Sequence, residues 1–339
     1  MAQEDDFQDE SCQPTSGKER LVATACATFG VVLHLALALA GAGLLVRLTV
    51  RDRLLVPGVI FYATPCPLLV IIALAGAIWH WARRRLRFAV PLAVIAVAVA
   101  GAWYSRSHVS AVPAPAEETV RLMFWNAARL RHDIEPVIQH VRSQQPDFVA
   151  LVEAELETKR QRRLVHEAFP DYEVLPLPAG MLLLSRFPVE STGHIKVRDG
   201  GDVNLVKLLP RGKPVTLAIV DIESSPLYNR GDAIADVFKE IGRAQTVTRI
   251  VVGDFNTPSE SVHFGPDRRR WRHAFEEAGQ GFMETWPWGI PLLAIDHIWL
   301  QGPLRAVECS QETVWCSDHQ SVITELALEP SGAQQPAAP

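Results

Sequence analysis

Two polar side chains directly follow an apolar strand pattern in the segment IVVGDFNTPSE, which covers residues 250–260. Residues 250–252 are β-branched and continuous, a pattern typical of a strand that is covered on both faces. Gly253 ends the run, and Asp254 and Asn256 come next, one residue apart. Gly, Asp, Asn and Pro are also common in turns, so this segment alone is compatible with a turn or with a functional strand end.

Similar polar residues occur at other predicted strand ends, and together they form an acid-rich set. The set comprises Asn126, Glu153, Asp254, Asn256, Asp296, Asp318 and His319. Carboxylates that are brought together repel one another unless protons or a cation neutralise them. Oxygen ligands with few thiols suit Mg²⁺ or Mn²⁺. The sequence therefore predicts a divalent-cation site where several strand ends converge.

Strands and helices alternate along the part of the chain that carries this set. Apolar runs predict strands at 120–130, 148–155, 179–189, 215–223, 250–252, 294–300 and 316–326. Apolar residues at helical spacing predict helices at 134–147 and 230–245, and a further helix is expected near 271–278. This alternation predicts an α/β domain over residues 120–328, which is large enough to bury a sizeable core.

Three long apolar stretches precede this domain. Residues 21–48 carry no charge before Arg47, and residues 54–81 and 88–104 carry none. Each stretch has roughly the length that crosses a bilayer, and each is apolar all round, which argues against buried helices of a soluble protein. A polar segment precedes the first stretch, which argues against a cleaved signal peptide. We therefore predict an all-α segment of three transmembrane helices within residues 21–105.

The positive charges beside these stretches indicate an orientation. If the N-terminus is cytoplasmic, the inside flanks hold Lys18, Arg20, Arg83, Arg84, Arg85 and Arg87, and the outside flanks hold Arg47, Arg51, Arg53 and Arg106. Cytoplasmic flanks usually carry the excess of positive charge. The chain is therefore predicted to be a multi-pass membrane protein whose domain after the third helix lies outside the cytoplasm.

The remaining segments are polar or rich in Pro and Ala. Residues 1–20 are acidic and predict disorder, residues 106–119 predict an extended linker, and residues 329–339 predict a second disordered tail. The five cysteines show no paired metal-binding spacing, so a structural zinc site is not expected. Cys309 and Cys316 could pair in an oxidising compartment, but the sequence does not decide this.

The ordered motifs resemble the endonuclease/exonuclease/phosphatase superfamily, whose fold is also called deoxyribonuclease I-like. The motifs are FWN at 124–126, PDFVALVEAE at 146–155, LLSRFPV at 183–189, GDFN at 253–256, IDHIWL at 295–300 and SDHQSV at 317–322. Each is weak alone, but six in the expected order span almost all of residues 120–328. The resemblance favours a catalytic strand end over a turn at GDFN, and it implies a two-layered α/β sandwich.

The resemblance also implies a metal-dependent hydrolase that acts on phosphate ester bonds. Glu153 is expected to be the main Mg²⁺ (or Mn²⁺) ligand. Asn126 is expected to help hold the metal or the phosphate, and Asp318 to support the metal site. A hydrolysed phosphate ester needs charge neutralisation, a positioned water and a proton for the leaving oxygen.

The catalytic roles are carried over position by position. Asp254 would orient or deprotonate the attacking water, and Asn256 would bind the phosphate. His319 would contact the phosphate as an acid or charge stabiliser, with Asp296 fixing its tautomer. Asp296 also interrupts an otherwise apolar strand, which is costly unless the carboxylate is paired.

Two positions depart from the family pattern. The family usually has a His after the strand that reads LAIVDIESSP here, and Asp221 stands at or next to that place. Some relatives use another polar side chain there, so Asp221 is included among the catalytic candidates. His297 stands where the family usually has a bulky side chain, and it is expected to pack in the core.

Three functions are compatible with these features. The first is a membrane-anchored phosphoesterase acting on a lipid-linked phosphate, by analogy with membrane-anchored relatives that are linked to glycopeptide-antibiotic resistance. A membrane-tethered nuclease is less favoured, because residues 120–328 hold 23 Lys and Arg against 28 Asp and Glu and nucleic-acid-binding domains are normally basic. A catalytically degraded member that binds or senses is the third. The expected partners are the lipid bilayer and a phosphorylated substrate, and no protein partner is evident.

Overall fold

The computed structural model describes residues 17–112 and 118–328. Residues 1–16, 113–117 and 329–339 lie outside the described residues. The disorder predicted for residues 1–20 and 329–339 falls on these segments except at residues 17–20, which are helical. Of the predicted linker 106–119, residues 113–117 lie outside the described residues. The described residues form a helical N-terminal part followed by a sheet-rich α/β domain, as the sequence predicts.

The helical part consists of α1 (Gly17–Leu48), α2 (Leu55–Ala63), α3 (Cys66–Ala82) and α4 (Leu86–Ser107). Within the described residues, α1 and α4 are long and apolar enough to cross a membrane. The α2–α3 pair adds a third crossing only if its two helices, bent by 64°, count as one span. The second predicted helix is therefore broken. Pro65 explains the break, because proline disfavours the helical conformation of the preceding residue, here Thr64 with φ −125° and ψ 62°.

Helices α1 and α3 run antiparallel. Near the start of α1, the rings of Phe29 and Trp79 lie 5.2 Å apart. Near its end, Arg47 donates a hydrogen bond of 2.9 Å to the backbone oxygen of Thr64, beside the break between α2 and α3. The end of α1 and the start of α3 therefore lie together, and the basic segment 83–87 lies at the opposite end of α3.

Two six-stranded sheets form the domain. In spatial order, the first sheet contains β10 (Arg272–His273), β12 (Asp296–Gln301), β9 (Thr248–Asp254), β8 (Val215–Ile222), β7 (Gly201–Leu208) and β6 (Val189–Lys196). The second contains β13 (Leu304–Glu312), β14 (Ser321–Leu328), β2 (Thr119–Asn126), β3 (Phe148–Val152), β5 (Met181–Ser185) and β4 (Glu173–Leu177). Each sheet has one parallel pair at its centre, β8 with β9 and β2 with β3. A small third sheet pairs β1 (His108–Ser110) with β11 (Gln280–Phe282).

Helices cover the outer faces of both sheets. Helices α5 (Glu135–Gln144) and α6 (Lys159–Ala168) cover the second sheet, α7 (Arg230–Gly242) covers the first, and the short α8 (Ala274–Ala278) packs beside the core. Along β2, Leu122 and Phe124 face the core between the sheets, whereas Met123 and Trp125 face α5 and α6. This alternation follows from the two-residue period of a strand. Because both faces are covered, a central strand such as β3 is apolar throughout.

The helical part contacts the domain beside the loop that follows β9. The carboxylate of Asp52, between α1 and α2, accepts hydrogen bonds from the Ser261 hydroxyl and from the Val262 N–H at 3.1 Å. At the end of α4, the Trp103 indole donates a 2.6 Å hydrogen bond to Glu284. Because each contact uses a buried carboxylate, the helices are joined to the domain by specific polar interactions.

Some local predictions differ from the structure. The β6–β7 hairpin was not predicted, because β6 has a polar and largely exposed sequence, VESTGHIK, without an apolar run. The helix expected near 271–278 is only Ala274–Ala278. Within the segment expected to be a linker, His108–Ser110 forms β1. Cys309 and Cys316 are both buried free thiols, so the possible disulfide between them is not formed.

Candidate active site

Strand ends from both sheets meet at one edge of the domain. In the first sheet, Asp221 at the end of β8 stands opposite Asp254 at the end of β9, and Asp296 at the start of β12 is the other neighbour of Asp254. In the second sheet, β2 ends at Asn126, and Glu153 directly follows β3. The parallel pairs at the two sheet centres thus bring carboxylates from distant parts of the sequence to one place.

The Asn126 amide joins the two sheets. Its Nδ2 donates hydrogen bonds to Asp254 Oδ2 at 2.9 Å and to Glu153 Oε1 at 3.2 Å. Its Oδ1 accepts a 2.9 Å hydrogen bond from the Ala128 N–H. The amide is therefore held at both ends, which fixes the positions of two carboxylates that would otherwise repel each other.

His319 lies between two buried carboxylates. Its Nδ1 is 2.9 Å from Asp296 Oδ2, and its Nε2 is 3.7 Å from Asp254 Oδ2. Burial lowers the pKa of His319, but the Asp296 and Asp254 carboxylates outweigh it and raise the pKa to about 10. The imidazole is therefore protonated near neutral pH and offsets part of the negative charge. The Ser317 hydroxyl fixes the loop by accepting from the His319 N–H at 3.0 Å.

Two carboxylates of this cluster, Asp254 and Asp221, have raised pKa values. Burial, together with the charge of Asp296, raises the pKa of Asp254 to about 7. Burial and the neighbouring Asp254 and Glu153 raise the pKa of Asp221 to about 8. Protons therefore neutralise part of the acid cluster near neutral pH. A bound divalent cation would do the same, so the donors fit a site for a hard, oxygen-preferring cation.

Two site residues adopt a left-handed backbone. Glu153 has φ +49° and Asn256 has φ +46°. Such conformations cost about 1–3 kcal/mol and persist only where surrounding contacts enforce them. For Asn256, the contacts are its N–H to Asp254 Oδ1 at 2.8 Å and its side-chain amide to the Ile222 carbonyl at 2.8 Å. The turn after β9 therefore holds Asn256 toward the end of β8.

The comparisons with known proteins agree with this arrangement. A sequence profile of the Endonuclease/Exonuclease/phosphatase family matches residues 123–319. The chain belongs to this family. A search of curated protein sequences finds no match.

Solved structures of the family share the fold at low sequence identity. The endonuclease/exonuclease/phosphatase protein of Bacteroides vulgatus superposes with a TM-score of 0.52 at 16% identity, covering 63% of this chain and all of that one. The mannosyl-6-phosphatase of Bacteroides thetaiotaomicron gives 0.50 at 16% identity, covering 61% and 99%. TDP2 of D. rerio, complexed with a single-stranded DNA product, gives 0.51 at 15% identity, covering 62% and 99%. At this identity the likeness supports the deoxyribonuclease I-like fold, but it does not show that this chain shares the substrates of these proteins.

A cleft of about 470 Å³ opens beside the cluster, on the side of Glu153, Asp221 and Asn256. Its polar lining comprises Arg129, Glu153, Glu155, Glu157, Asp202, Asp221, Glu223, Ser224 and Asn256. The sequence did not single out Arg129, whose Nε donates to Glu153 Oε2 at 3.2 Å. Arg129 follows the FWN motif by three residues, and its mostly exposed side chain carries no pattern that would have marked it. The cleft gives a ligand access to Glu153, Asp221 and Asn256.

The residues nearest to one another suggest a division of roles. Ligand atoms of Asp254, Asp296 and His319 lie within 4.8 Å of one another, a spacing compatible with a metal ion. However, His319 Nδ1 is hydrogen-bonded to Asp296, so its protonated ring already supplies a positive charge there. Glu153 and Asp221 line the open cleft, where a ligand can reach them. The family's enzymes generally use divalent metals, which agrees with this donor set.

Asp318 lies next to the cluster but has a different partner. Its Oδ2 accepts a 3.2 Å hydrogen bond from the indole of Trp286. Among the described residues, it has no direct hydrogen bond to the other candidate side chains. Its carboxylate still contributes to the raised pKa of His319. The structure therefore brings Asn126, Glu153, Asp221, Asp254, Asn256, Asp296 and His319 together and places Asp318 at their periphery.

His297 is buried, as expected, but it also has a specific polar role. Its Nε2 donates a 2.9 Å hydrogen bond to the Thr257 carbonyl, and its Nδ1 accepts one of 3.0 Å from His273. Burial lowers the pKa of both histidines to about 3, so both rings are neutral. The two histidines therefore anchor to the core the turn in which Asn256 lies. This contact was not predicted, because His273 and His297 are 24 residues apart along the chain.

Proposed function

We propose that this chain is a membrane-anchored, divalent-metal-dependent phosphoesterase that hydrolyses a phosphate ester or pyrophosphate of a lipid-linked substrate. One observation carries the proposal: the helices contact the loops that bear the site residues. Ser261 and Val262, which bind Asp52, follow Asn256 by only a few residues. The hydroxyl of Thr285, next to the Trp103 partner Glu284, accepts a hydrogen bond of 3.3 Å from the Asp296 N–H. A site tied this closely to membrane helices can reach only substrates near the bilayer.

The residues of the cluster can divide the reaction among themselves. Asp254, with its pKa near 7, is suited to take a proton from the attacking water at neutral pH. The protonated His319 can stabilise the phosphate charge or give a proton to the leaving oxygen, while Asp296 holds its Nδ1. Asn256 presents its carboxamide beside the cleft and can contact the phosphate.

Glu153 and Asp221 would hold the cation. When bound, the cation supplies charge neutralisation to the phosphate oxygens. Asn126 contributes by fixing Glu153 against Asp254 through its two amide hydrogen bonds. In this proposal, Asp221 holds the cation at or next to the place where the family usually has His. A carboxylate there adds negative charge, so it increases the need for a cation.

The charge of the cleft favours a small phosphorylated group over a nucleic acid. Six carboxylates line the cleft: Glu153, Glu155, Glu157, Asp202, Asp221 and Glu223. Arg129 is the one basic residue of its described lining. A nucleic-acid backbone would meet this surface with like charge, whereas nucleic-acid-binding proteins present Lys and Arg to phosphates. A single phosphate at the cation needs to approach only the centre of the cleft.

We also propose that α1, the α2–α3 pair and α4 cross the membrane and that the domain is extracytoplasmic. The ends of α1 and α4 lie beside the domain, and the basic segment 83–87 lies at the other end of α3 and α4. Because cytoplasmic flanks are usually the more basic, the segment 83–87 favours the cytoplasm. The substrate would then be a lipid-carrier or outer-leaflet phosphate.

An activity panel on the full chain in lipid nanodiscs tests the proposal. The substrates are p-nitrophenyl phosphate, bis-p-nitrophenyl phosphate, a polyprenyl pyrophosphate and single-stranded DNA, each with Mg²⁺, Mn²⁺ or EDTA. We expect cation-dependent turnover of the polyprenyl pyrophosphate or of a small ester. Turnover of DNA alone would favour the tethered nuclease. If no substrate is cleaved although the protein binds Mg²⁺, the degraded member is favoured.

A further inference from the structure

Arg230, the first residue of α7, is a buried cation without a hydrogen-bonded counterion. The residue is only 3% exposed to solvent. In the described part of the chain, neither Nε nor Nη1 has a hydrogen-bond partner. Burial lowers the pKa of the guanidinium, which reflects the cost of removing its charge from water. Buried charges in folded proteins are normally paired, so this guanidinium lacks an expected anion.

Arg230 lines a cavity at the junction between the membrane helices and the domain. The cavity has a volume of about 350 Å³, enough for a phosphate group and part of the molecule that carries it. Its basic and hydrogen-bonding lining comprises Arg53, Tyr62, Tyr228, Asn229, Arg230 and His263. Because Arg53 and Tyr62 come from the helical part and the others from the domain, the cavity forms only when the two are joined.

Of the two carboxylates that line the cavity, Asp52 already has other partners. Asp52 accepts hydrogen bonds from Ser261, from Val262 and from the Tyr62 hydroxyl at 3.0 Å. Asp199 is exposed and lies near Arg198, whose pKa it helps to raise. Neither carboxylate is hydrogen-bonded to Arg230. Among the described residues, Asp254 and Glu223 favour its charged form but form no salt bridge with it, so the guanidinium can still bind an anionic ligand.

The edge of this cavity is apolar and exposed. Leu54 and Leu55, where α2 begins, are 59% and 48% exposed, and Leu227 and Tyr228, in the loop before α7, are 68% and 47% exposed. Exposed apolar side chains that flank a basic cavity match a ligand with a charged head and an apolar tail. Since α2 adjoins helices that we propose to cross the bilayer, this edge faces the lipid interface.

We propose that the cavity binds the phosphate of an anionic lipid, with Arg230 and Arg53 on the phosphate and Leu54, Leu55 and Leu227 along the first part of the tails. This site is distinct from the cleft at Glu153 and Asp221, and none of its lining is shared with that cleft. The bound lipid would bridge the helices and the domain, and so hold the cleft at a fixed height above the bilayer. The inference rests on the membrane placement in the proposed function but not on catalysis.

Native mass spectrometry of the full chain in detergent tests this proposal. The chain carries Glu153→Gln, so that turnover cannot consume a ligand, and it is mixed with phosphatidylglycerol or with phosphatidylcholine. We expect retention of phosphatidylglycerol at least tenfold stronger than in the same chain with Arg230→Gln. Arg243→Gln, at the exposed opposite end of α7, is the matched control and should retain the lipid. Equal retention with and without Arg230→Gln would overturn the proposal.

A thermal melt separates ligand binding from a structural role for Arg230. Without lipid, Arg230→Gln should melt at or above the temperature of the parent chain, because it removes an unpaired buried charge. Added phosphatidylglycerol should raise the melting temperature of the parent chain but not of the variant. If Arg230→Gln is strongly destabilised without lipid, Arg230 has a partner within the chain and the proposal is wrong. If inorganic phosphate gives the same rise as the lipid, the ligand is a soluble phosphate and the lipid assignment is wrong.

Discussion

His319 and Asp296 form a buried pair, with Nδ1 of the imidazole 2.9 Å from Oδ2 of the carboxylate. The other ring nitrogen, Nε2, lies 3.7 Å from Asp254 Oδ2. The pair therefore connects the start of β12 to the end of β9 through a residue of the loop before β14. Because one ring contacts both carboxylates, the three groups should act as a unit.

We expect Asp296→Asn and His319→Ala to impair the same step of hydrolysis. The double variant should be little slower than the slower single variant, because residues that act as a unit are not additive. Single-turnover rates of all three variants at saturating cation measure this coupling. Asp267→Asn, which lines a separate cavity beside α7, serves as the control. Multiplicative losses in the double variant would show that the two residues act independently.

Glu153→Gln should abolish hydrolysis and leave the fold intact, because it keeps the size of the side chain but removes the charge that would hold a cation. Asn126 can still donate to the new amide oxygen, so the link between the sheets survives. The test combines initial rates at saturating Mg²⁺ with circular dichroism. Activity above about a tenth of the parent value corresponds to a loss below ~1.4 kcal/mol and would exclude Glu153 as the main ligand.

Without a divalent cation, the free energy of unfolding should fall as the pH rises from about 4 to 8. The folded protein raises the pKa of Asp221 to about 8, so between its unfolded pKa of 3.8 and 8 the folded state binds the proton more tightly. That stabilisation is present at low pH and is lost as the pH passes through 8. Urea denaturation in EDTA at pH 5 and pH 8 measures the fall, and Asp221→Asn should reduce it.

Cation binding should become tighter over the same pH range, because the cation displaces the proton of Asp221. Isothermal titration with Mg²⁺ in buffers of different ionisation enthalpy counts the released protons. We expect proton release near pH 7 from the parent chain and less from Asp221→Asn. A pH-independent affinity in the parent chain would mean that Asp221 is not near the cation.

Asp52→Ala should loosen the contact between the helices and the domain. The variant loses three hydrogen bonds to a buried carboxylate, and a hydrogen bond to a charged group contributes about 1.5–3 kcal/mol. Pulsed electron paramagnetic resonance between labels on α4 and on β13 should show a broader distance distribution. Asp232→Ala, on the exposed side of α7, is the matched control. An unchanged distribution would mean that other contacts suffice to hold the domain.

The sidedness of the membrane can be read from fusions made after Thr119. Alkaline phosphatase should be active there, and green fluorescent protein should be dark, because the basic segment 83–87 retains that end of α3 and α4 in the cytoplasm. The opposite result would place the domain in the cytoplasm. A lipid-carrier phosphate of the outer leaflet would then be out of reach.

The sequence by itself determined the fold class, the family and most residues of the candidate site. Apolar runs such as residues 250–252 predict strands that are covered on both faces, and several of these runs end in a polar residue of the acid-rich set. The order of these motifs along the chain then indicated the family. Local signals sufficed for this because a strand, its end and the polar residue that follows are neighbours in sequence.

Only the tertiary structure decided which side chains meet. Asp318 lies beside His319 in sequence, yet its hydrogen-bond partner is Trp286. His297 was predicted only to be buried, yet its ring also donates a hydrogen bond to the Thr257 carbonyl. The bend at Pro65 and the cavity around Arg230 depend on contacts between segments far apart in the chain. The physical reason is that pairing, burial and charge neutralisation depend on distance in space. Sequence periodicity reports only which face of an element is apolar.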